Sequence, residues 1–519
     1  MKKQYFLYLP FLTLLAILTN ACSKQADYTD AIPATASEVV SINLKSLADK
    51  AGSKDTESQK ALQQLLESMK GEMNAATFQQ IEDVMKNPAQ SGIDFNAPLY
   101  LFRDSLYRQG AIVAKVNDEG KLKELLEAVQ KEKITTDIIQ ENGYNYTTLS
   151  NDVLLAFNAS TLLATNYASK AKLEKVKETV SSSLRQTQEN SFSGSALFKK
   201  MQGMSEDINM VFSSASLLQM YNLPINTKAL KETGNLKDTK MLAALSFKKG
   251  SIDLEMESYT ENKEVKELLE KHLKCIPPIK NTFLKYFPES TLALLTTGLD
   301  GEKLYNALQE SEEIRNDLSI NDAEELKEIL GLFDGDLTMG LTNVTLNHAP
   351  AFLAYATLKE DGALDKLYDQ NSPNATGWMK KIIKLDNGSY VYKDRKMNIF
   401  FGERDKQMYA TNDETLYKSV CKATDPSALK TAYAGNLKGN QGAFVVNVEA
   451  ILNLPIVQMI MGFGGKQAAT YYLFASQVSY LQMTGKGDKA TVVMQLKNKD
   501  ENALKQIVKL VLGNLSSKS

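Results

Sequence analysis

The sequence predicts an α+β fold of two tandem similar domains, each a largely antiparallel sheet with helices packed on one face. Three observations carry this. Strand-like runs follow one another closely, as in 145–148, 153–157 and 162–166. Short connections favour antiparallel hairpins, because a parallel pair needs a long crossover. Helical patterns stand between the runs. Landmarks in the first half also recur in the second, in the same order, offset by 234 to 255 residues.

The landmarks can be taken in chain order. Pro33 opens a stretch with Val39, Val40, Ile42 and Leu44, and Pro288 opens another with Leu294, Leu295, Thr297 and Leu299. The run Ala111–Gly120 parallels Leu353–Gly362, and each leads into a helical pattern at Leu122, Leu125 and Leu126 or at Leu364, Leu367 and Tyr368. Ala164-Thr165-Asn166 parallels Ala410-Thr411-Asn412. Met210, Phe212 and Leu217 match Phe444, Val446 and Ile451. Ile252, Leu254, Met256, Val265 and Leu269 match Ala490, Val492, Met494, Ala503 and Ile507. Drift in the offset is what loop insertions and deletions produce.

Individual elements follow from periodicity. Ile252 to Glu257 alternates apolar and polar, which predicts a half-buried strand. Lys263 to Leu273 sets Val265, Leu268, Leu269, His272 and Leu273 on one helical face, and Glu57 to Met69 does the same with Leu62, Leu65, Leu66 and Met69. Ile276-Pro277-Pro278 stops a helix and stiffens the chain after it. The expected organisation is a leader at 1–21, a tether at 22–31, a first repeat at 32–275, a linker at 276–282 and a second repeat at 283–519. The polar stretch 181–195 is expected as an exposed loop, and Gly462 to Gly465 as a bend.

The amino end carries an address. Lys2 and Lys3 precede an apolar run from Phe6 to Leu18, then Thr19, Asn20, Ala21 and Cys22. The run is shorter than the ~20 residues a spanning helix needs, and has the layout of a secretory signal. It resembles a bacterial lipoprotein signal, which implies Cys22 as the acylated (palmitate-bearing) first residue of the mature chain. Several acyl chains anchor a protein stably where a single one binds marginally. Ser23 resembles the outer-membrane-sorted type, with no acidic run at 24–27 to mark surface export, so periplasmic-facing and surface-exposed anchoring both stay open.

Composition restricts function. Lys and Arg total 60 against 62 Asp and Glu, so no basic field exists to collect phosphates, and nucleic acid is not an expected partner. Only two histidines and three cysteines are present. His272 and His348 offer no pair at metal-binding spacing; the first suits a helix face and the second an exposed turn. Asp334-Gly335-Asp336 has carboxylates for a hard cation but not the further oxygens of a calcium loop, and a turn into a strand is the expectation. Ser193-Gly194-Ser195 lacks the nucleophile-elbow pattern, and Gly464-Gly465-Lys466 lacks the P-loop pattern. His272 and Cys275 stand three residues apart, with prolines ending the helix beside them. In an oxidising compartment Cys275 and Cys421 are either a disulfide or two buried thiols. Asp104-Ser105-Leu106 resembles a short O-glycosylation acceptor, with Ser105 as the acceptor residue.

The leader, the "VVSINLKSL" and "VAKVNDEGKLKELL" units and the repeat of the whole resemble a duplicated-domain lipoprotein family of unknown function from gut-dwelling Gram-negative anaerobes. The resemblance implies an outer-membrane, lipid-anchored location and brings no catalytic residue, cofactor or metal. The expected function is non-enzymatic: binding of a protein or glycan partner through paired domains, with membrane lipid engaged through acylated Cys22. Hydrolysis of envelope or dietary polymers and a structural role in an outer-membrane complex are the alternatives.

Overall fold

The computed structural model describes residues 27–516 apart from 106, 108–109, 151, 168, 214–238, 311–319, 347, 373–378, 396 and 423–433. The chain is a mixture of helices and antiparallel sheet, and its contacts divide it into two units. Among the described residues, one unit holds 27–213, 239–259 and 499–516, and the other holds 260–498.

In the first unit the order is β1 (Glu38–Ile42), α1 (Leu44–Ala51), α2 (Thr56–Met69), α3 (Ala75–Lys86), β2 (Leu99–Arg103), β3 (Ala111–Lys115) and α4 (Glu119–Lys131). Then come β4 (Ile139–Glu141), β5 (Tyr144–Leu149), β6 (Val153–Phe157), β7 (Thr161–Asn166), α5 (Leu173–Leu184), α6 (Ala196–Gln202), β8 (Ile208–Ser213), β9 (Lys240–Lys248) and β10 (Ser251–Tyr259). The strands lie in the order 4-5-6-7-3-2-1-8-9-10, every neighbour antiparallel. Polar caps start the helices where the sequence supplies them: Asn43 accepts from Ser46 N, Asn74 from Thr77 N and Asp118 from Lys121 N. Gly52 closes α1 in the left-handed conformation.

The second unit opens with α7 (Lys263–Leu273), followed by β11 (Ala293–Asp300), α8 (Gly301–Glu310), α9 (Ile320–Gly331), β12 (Phe333–Asn343), β13 (Ala351–Leu358) and α10 (Ala363–Asn371). It continues with β14 (Ile382–Lys384), β15 (Tyr390–Lys393), β16 (Asn398–Arg404), β17 (Gln407–Thr411), α11 (Glu414–Tyr417), β18 (Gly442–Asn447), α12 (Val448–Leu452), α13 (Pro455–Phe463), α14 (Gly465–Ala475), β19 (Val478–Lys486) and β20 (Lys489–Leu496). Its strand order is 14-15-16-17-13-12-11-18-19-20, again antiparallel throughout. The pairing order repeats that of β1–β10 member by member. The last helix, α15 (Ala503–Ser516), returns to the first unit.

Three expectations about organisation are corrected. First, the boundary does not fall at 276–282. Helix α7 leaves β10 and joins the second unit, where Gln441 Nε2 donates to Leu273 O (2.9 Å) and Ile276 O (3.0 Å). In the opposite sense α15 joins the first, where Gly250 N donates to Glu501 O (3.0 Å) and Lys505 pairs with Asp55 (2.6 Å). The stretch expected as a linker is core: Ile279 is 1% exposed, and Lys280 N and Thr282 N both donate to the Asp336 carboxylate (2.8 and 2.7 Å). Second, the expected tether ends early. Asp27–Ala31 is a 3₁₀ turn with Tyr28 buried, its hydroxyl donating to Pro98 O (2.9 Å). Third, 181–195 is not an exposed loop. Ser181–Leu184 finishes α5, and Phe192 and Ser193 are buried.

Helices lie against parts of both faces of each sheet, not one. Strand β6, Val153–Phe157, shows why: its continuous apolar run sends Leu154 and Ala156 into the main core with Val39, Phe102 and Leu242. Leu155 and Phe157 go the other way, against Leu122 and Leu126 of α4. A run without alternation marks a strand buried on both sides. In the second unit Tyr368 of α10 meets the Tyr390–Phe401 stack, while Phe400 stacks on Tyr417 across the sheet. The main core there joins Phe283, Phe287, Leu294, Tyr355, Tyr409 and Val445.

Two sites fix the packing. Asp207, buried between strand ends, accepts from Lys50 Nζ (2.7 Å), Phe247 N (2.7 Å) and Ser46 Oγ, so one carboxylate ties α1 to β9. Removing the charge leaves Lys50 without its partner; Asp207→Asn is expected to lower unfolding free energy by about 3 kcal/mol, read from urea denaturation. Gly298 lies where β11 passes under the prolines: a Cβ there would sit 1.7 Å from Pro277 O. Gly298→Ala is expected to cost at least ~2 kcal/mol through forced backbone displacement, seen as a lower melting temperature.

Candidate functional site

Strand β11 is paired along both edges, to β12 and to β18. Register therefore brings the start of β11, the end of β12 and the end of β18 to one place. Leu292 N donates to Leu341 O (2.7 Å), and Asn447 N donates to Leu292 O (2.8 Å). Asn447 Nδ2 reaches Glu289 O (3.3 Å), while its Oδ1 accepts from Ala450 N (3.0 Å) and starts α12. Asp413 caps α11, accepting from Thr415 N (2.7 Å) and Leu416 N (3.1 Å).

Between these strand ends and helix starts lies a cleft of about 1080 Å³, slightly above the usual range for small-molecule sites. Its polar lining is made of Asn343, Asn447, Asn453, Thr342 and Ser290, with the carboxylates of Glu289, Asp413 and Glu449; its apolar lining includes Leu292, Leu416 and Leu454. Among the described residues no lysine, arginine or histidine is in the lining, although Lys497 stands 3.8 Å from the carboxylate of Glu449. The cleft can therefore hydrogen-bond an uncharged polar chain and repels an anion. Glu289 and Glu449 are exposed, whereas a carboxylic acid kept protonated for general-acid catalysis is usually one removed from water.

The residues singled out in the sequence lie elsewhere. Cys22 is outside the described residues. Ser105 is exposed in the turn after β2, beside buried Asp104, whose carboxylate accepts from Thr35 Oγ1 (2.6 Å). Cys275 and Cys421 are free thiols, and the bridge is not made. Each is held by different neighbours: the carbonyl of Cys275 accepts from Asp300 N (3.0 Å) at the far end of β11, and Cys421 N donates to Tyr355 Oη (3.1 Å). Cys421 has a φ of 59° after the short α11.

Other candidates are occupied structurally. Of the Asp-Gly-Asp motif, Asp334 is exposed and Asp336 is taken up by the two backbone N–H groups described above. Ser193 donates to Asp30, and Ser195 caps α6 by accepting from Phe198 N (3.0 Å). His348 is exposed between β12 and β13, and the helix carrying His272 is present as α7. Among the described residues no group of three His, Cys, Asp or Glu side chains could hold a metal ion.

One buried cation was not legible in the sequence. Lys177 on α5 is buried, 3.1 Å from both Glu141 and Glu174, with its ammonium 4.2 Å from the centre of the Tyr146 ring. Burial alone would depress its pKa, but the hydrogen bonds to Tyr146 and the two glutamates outweigh it and raise the pKa above the ordinary lysine value. Lys177 stays protonated and is no amine nucleophile.

The sequence pattern of DUF4836, a domain of unknown function, matches residues 28–504. The chain belongs to the DUF4836 family. The family match spans both units. No curated protein matches the sequence. Two solved structures, crystal forms IV and III of TP0453, share 9% and 8% identity with this DUF4836 chain, cover 44% and 48% of it and 96% and 88% of their own chains, and have TM-scores of 0.24 and 0.25.

Burial raises the pKa of both thiols above the usual cysteine value, chiefly by desolvation. A raised pKa means less thiolate at a given pH in the folded chain than in the unfolded one, and the thiolate is the reactive form. Alkylation by iodoacetamide is expected to be slow at neutral pH, to keep rising with pH past the range of an ordinary thiol, and to accelerate in denaturant. Mass spectrometry of the timed reaction checks this at each cysteine.

Proposed function

We propose that this chain is a non-enzymatic cell-envelope lipoprotein, held to the outer membrane through acylated Cys22, that binds an uncharged glycan in the cleft at the start of β11. One observation carries the binding reading: amide and hydroxyl groups line the cleft beside leucine side chains, and among the described residues no basic group lines it. Amides and carboxylates suit the hydroxyls of a sugar, and the leucines suit its apolar face. The same acidic lining disfavours sulfated or phosphorylated ligands through like-charge repulsion.

Binding is favoured over hydrolysis by the state of the carboxylates. Glycoside hydrolysis needs a pair of acids with distinct environments. Asp413 is occupied as a helix cap, Glu289 is exposed, and Glu449, also exposed, is paired with Lys497 at 3.8 Å. The lipoprotein reading rests on the order of charge, apolar run and small residue before Cys22. The two units are read as copies of one ancestral module, a view supported by the shared pairing order of β1–β10 and β11–β20.

Isothermal titration with a panel of neutral oligosaccharides and their sulfated counterparts tests the ligand class. The expected outcome is binding confined to neutral members, weakened about tenfold by Asn343→Ala with Asn453→Ala, the loss of one or two good hydrogen bonds. Equal binding of the sulfated set, unchanged affinity in the variant, or no binding at all contradicts it.

A further inference from the structure

Helices α13 and α14 carry a feature that neither the fold nor the cleft uses. No residue of α13 is buried. Exposure climbs toward the junction of the two helices, from 43% at Met459 to 56% at Ile460 and 87% at Phe463, and Tyr471 on α14 is 66% exposed. The chain turns between them at Gly464 and Gly465, the latter with a φ of 63° that only glycine adopts freely. An exposed apolar tip of this kind marks an interaction surface.

Charge identifies the occupant. The chain has 62 acidic residues, yet between Glu449 and Asp488 there is none, and Lys466 is the single charge from Pro455 to Ala475. A segment whose sequence has no acid and a single lysine suits a surface of phosphate groups over hydrocarbon, where carboxylates would be repelled. A soluble protein partner would not require every acid to be excluded from a segment of this length. The helices are short: among the described residues none is long and apolar enough to cross a membrane. Tyr471 and Tyr472 add rings with a polar tip, the type enriched where hydrocarbon meets headgroups.

We infer that α13–α14 is a monotopic membrane-seating element, which inserts Ile460 and Phe463 at the headgroup–acyl boundary of a phospholipid bilayer. Insertion of this kind buries an apolar face roughly 5–10 Å into the interface without spanning it. The inference is independent of the glycan reading and of acylation at Cys22. Leu454 lines the cleft and directly precedes Pro455, so the cleft opens beside the seated surface.

The test uses the chain from Ser23 onward, which keeps every described residue and lacks the leader and its cysteine. Flotation with vesicles of phosphatidylethanolamine and phosphatidylglycerol is expected to carry the protein upward. I460D combined with F463D should reduce the floated fraction by about tenfold or more, because carboxylates are expelled from the acyl region. A melting temperature equal to the parent's shows that the exposed substitutions leave the fold intact. As a second readout, F463W alone should add an emission component that shifts blue on vesicle addition. Three results overturn the inference: a parent that stays below the vesicles, a double variant that floats as well as the parent, or a parent dimer dispersed by the double variant without vesicle binding, which would make this surface an interface between copies.

Discussion

The second unit depends on one strand held from both sides. β11 hydrogen-bonds to β12 on one edge and β18 on the other, and no slip of either partner is compatible with the side-chain pattern. A one-residue slip would turn Leu294 and Val445 out of the core. With the register fixed, Leu292, Thr342 and Asn447 must meet at one end of the sheet, and the cleft is the consequence. The same register delivers the chain from β18 into α12 and then into the exposed pair α13–α14. Cleft and apolar tip are thus two products of a single ladder.

Register also explains the outer face. Met339, Leu295, Phe444 and Met483 stand side by side on adjacent strands, each exposed by 44 to 50%. The matching positions of the first unit are Leu101, Val40, Met210 and Ala243. There Ala243 is fully buried, and the other three are partly so. Two sheets with the same connections thus differ in what covers them. Buried carboxylates hold each together in its own way: Asp207 meets a lysine, and Asp336 meets backbone N–H groups alone.

Much of the fold was legible in the sequence. The periodicity at Glu57–Met69 and Lys263–Leu273 marks helices found at Thr56–Met69 and Lys263–Leu273, and the runs near 145, 153 and 162 are β5, β6 and β7. Local patterning specifies elements because burial of one face is a local property. It could not say which unit an element joins. Consecutive prolines at 277–278 look like a linker, yet Gly298 lets them pack against β11, and Asp336 satisfies the backbone N–H groups just beyond them. The cleft was invisible because its residues come from four separated stretches and most are ordinary caps and turns. A signal for α13–α14 was present: Asn222-Leu223-Pro224-Ile225 recurs as Asn453-Leu454-Pro455-Ile456 after the matching strands, and no acid stands between the second copy and Asp488.

Backbone amide exchange measured by mass spectrometry across the second unit tests the double pairing of β11 most directly. A strand hydrogen-bonded on both edges opens only when its sheet does, whereas the amides of an edge strand such as β14 are released by local opening. The amides of Ala293–Asp300 should be among the slowest in the unit and those of Ile382–Lys384 among the fastest in the sheet. Exchange in β11 as fast as in β14 would mean that the ladder is not closed on both sides, and the cleft built on its end would lose its foundation.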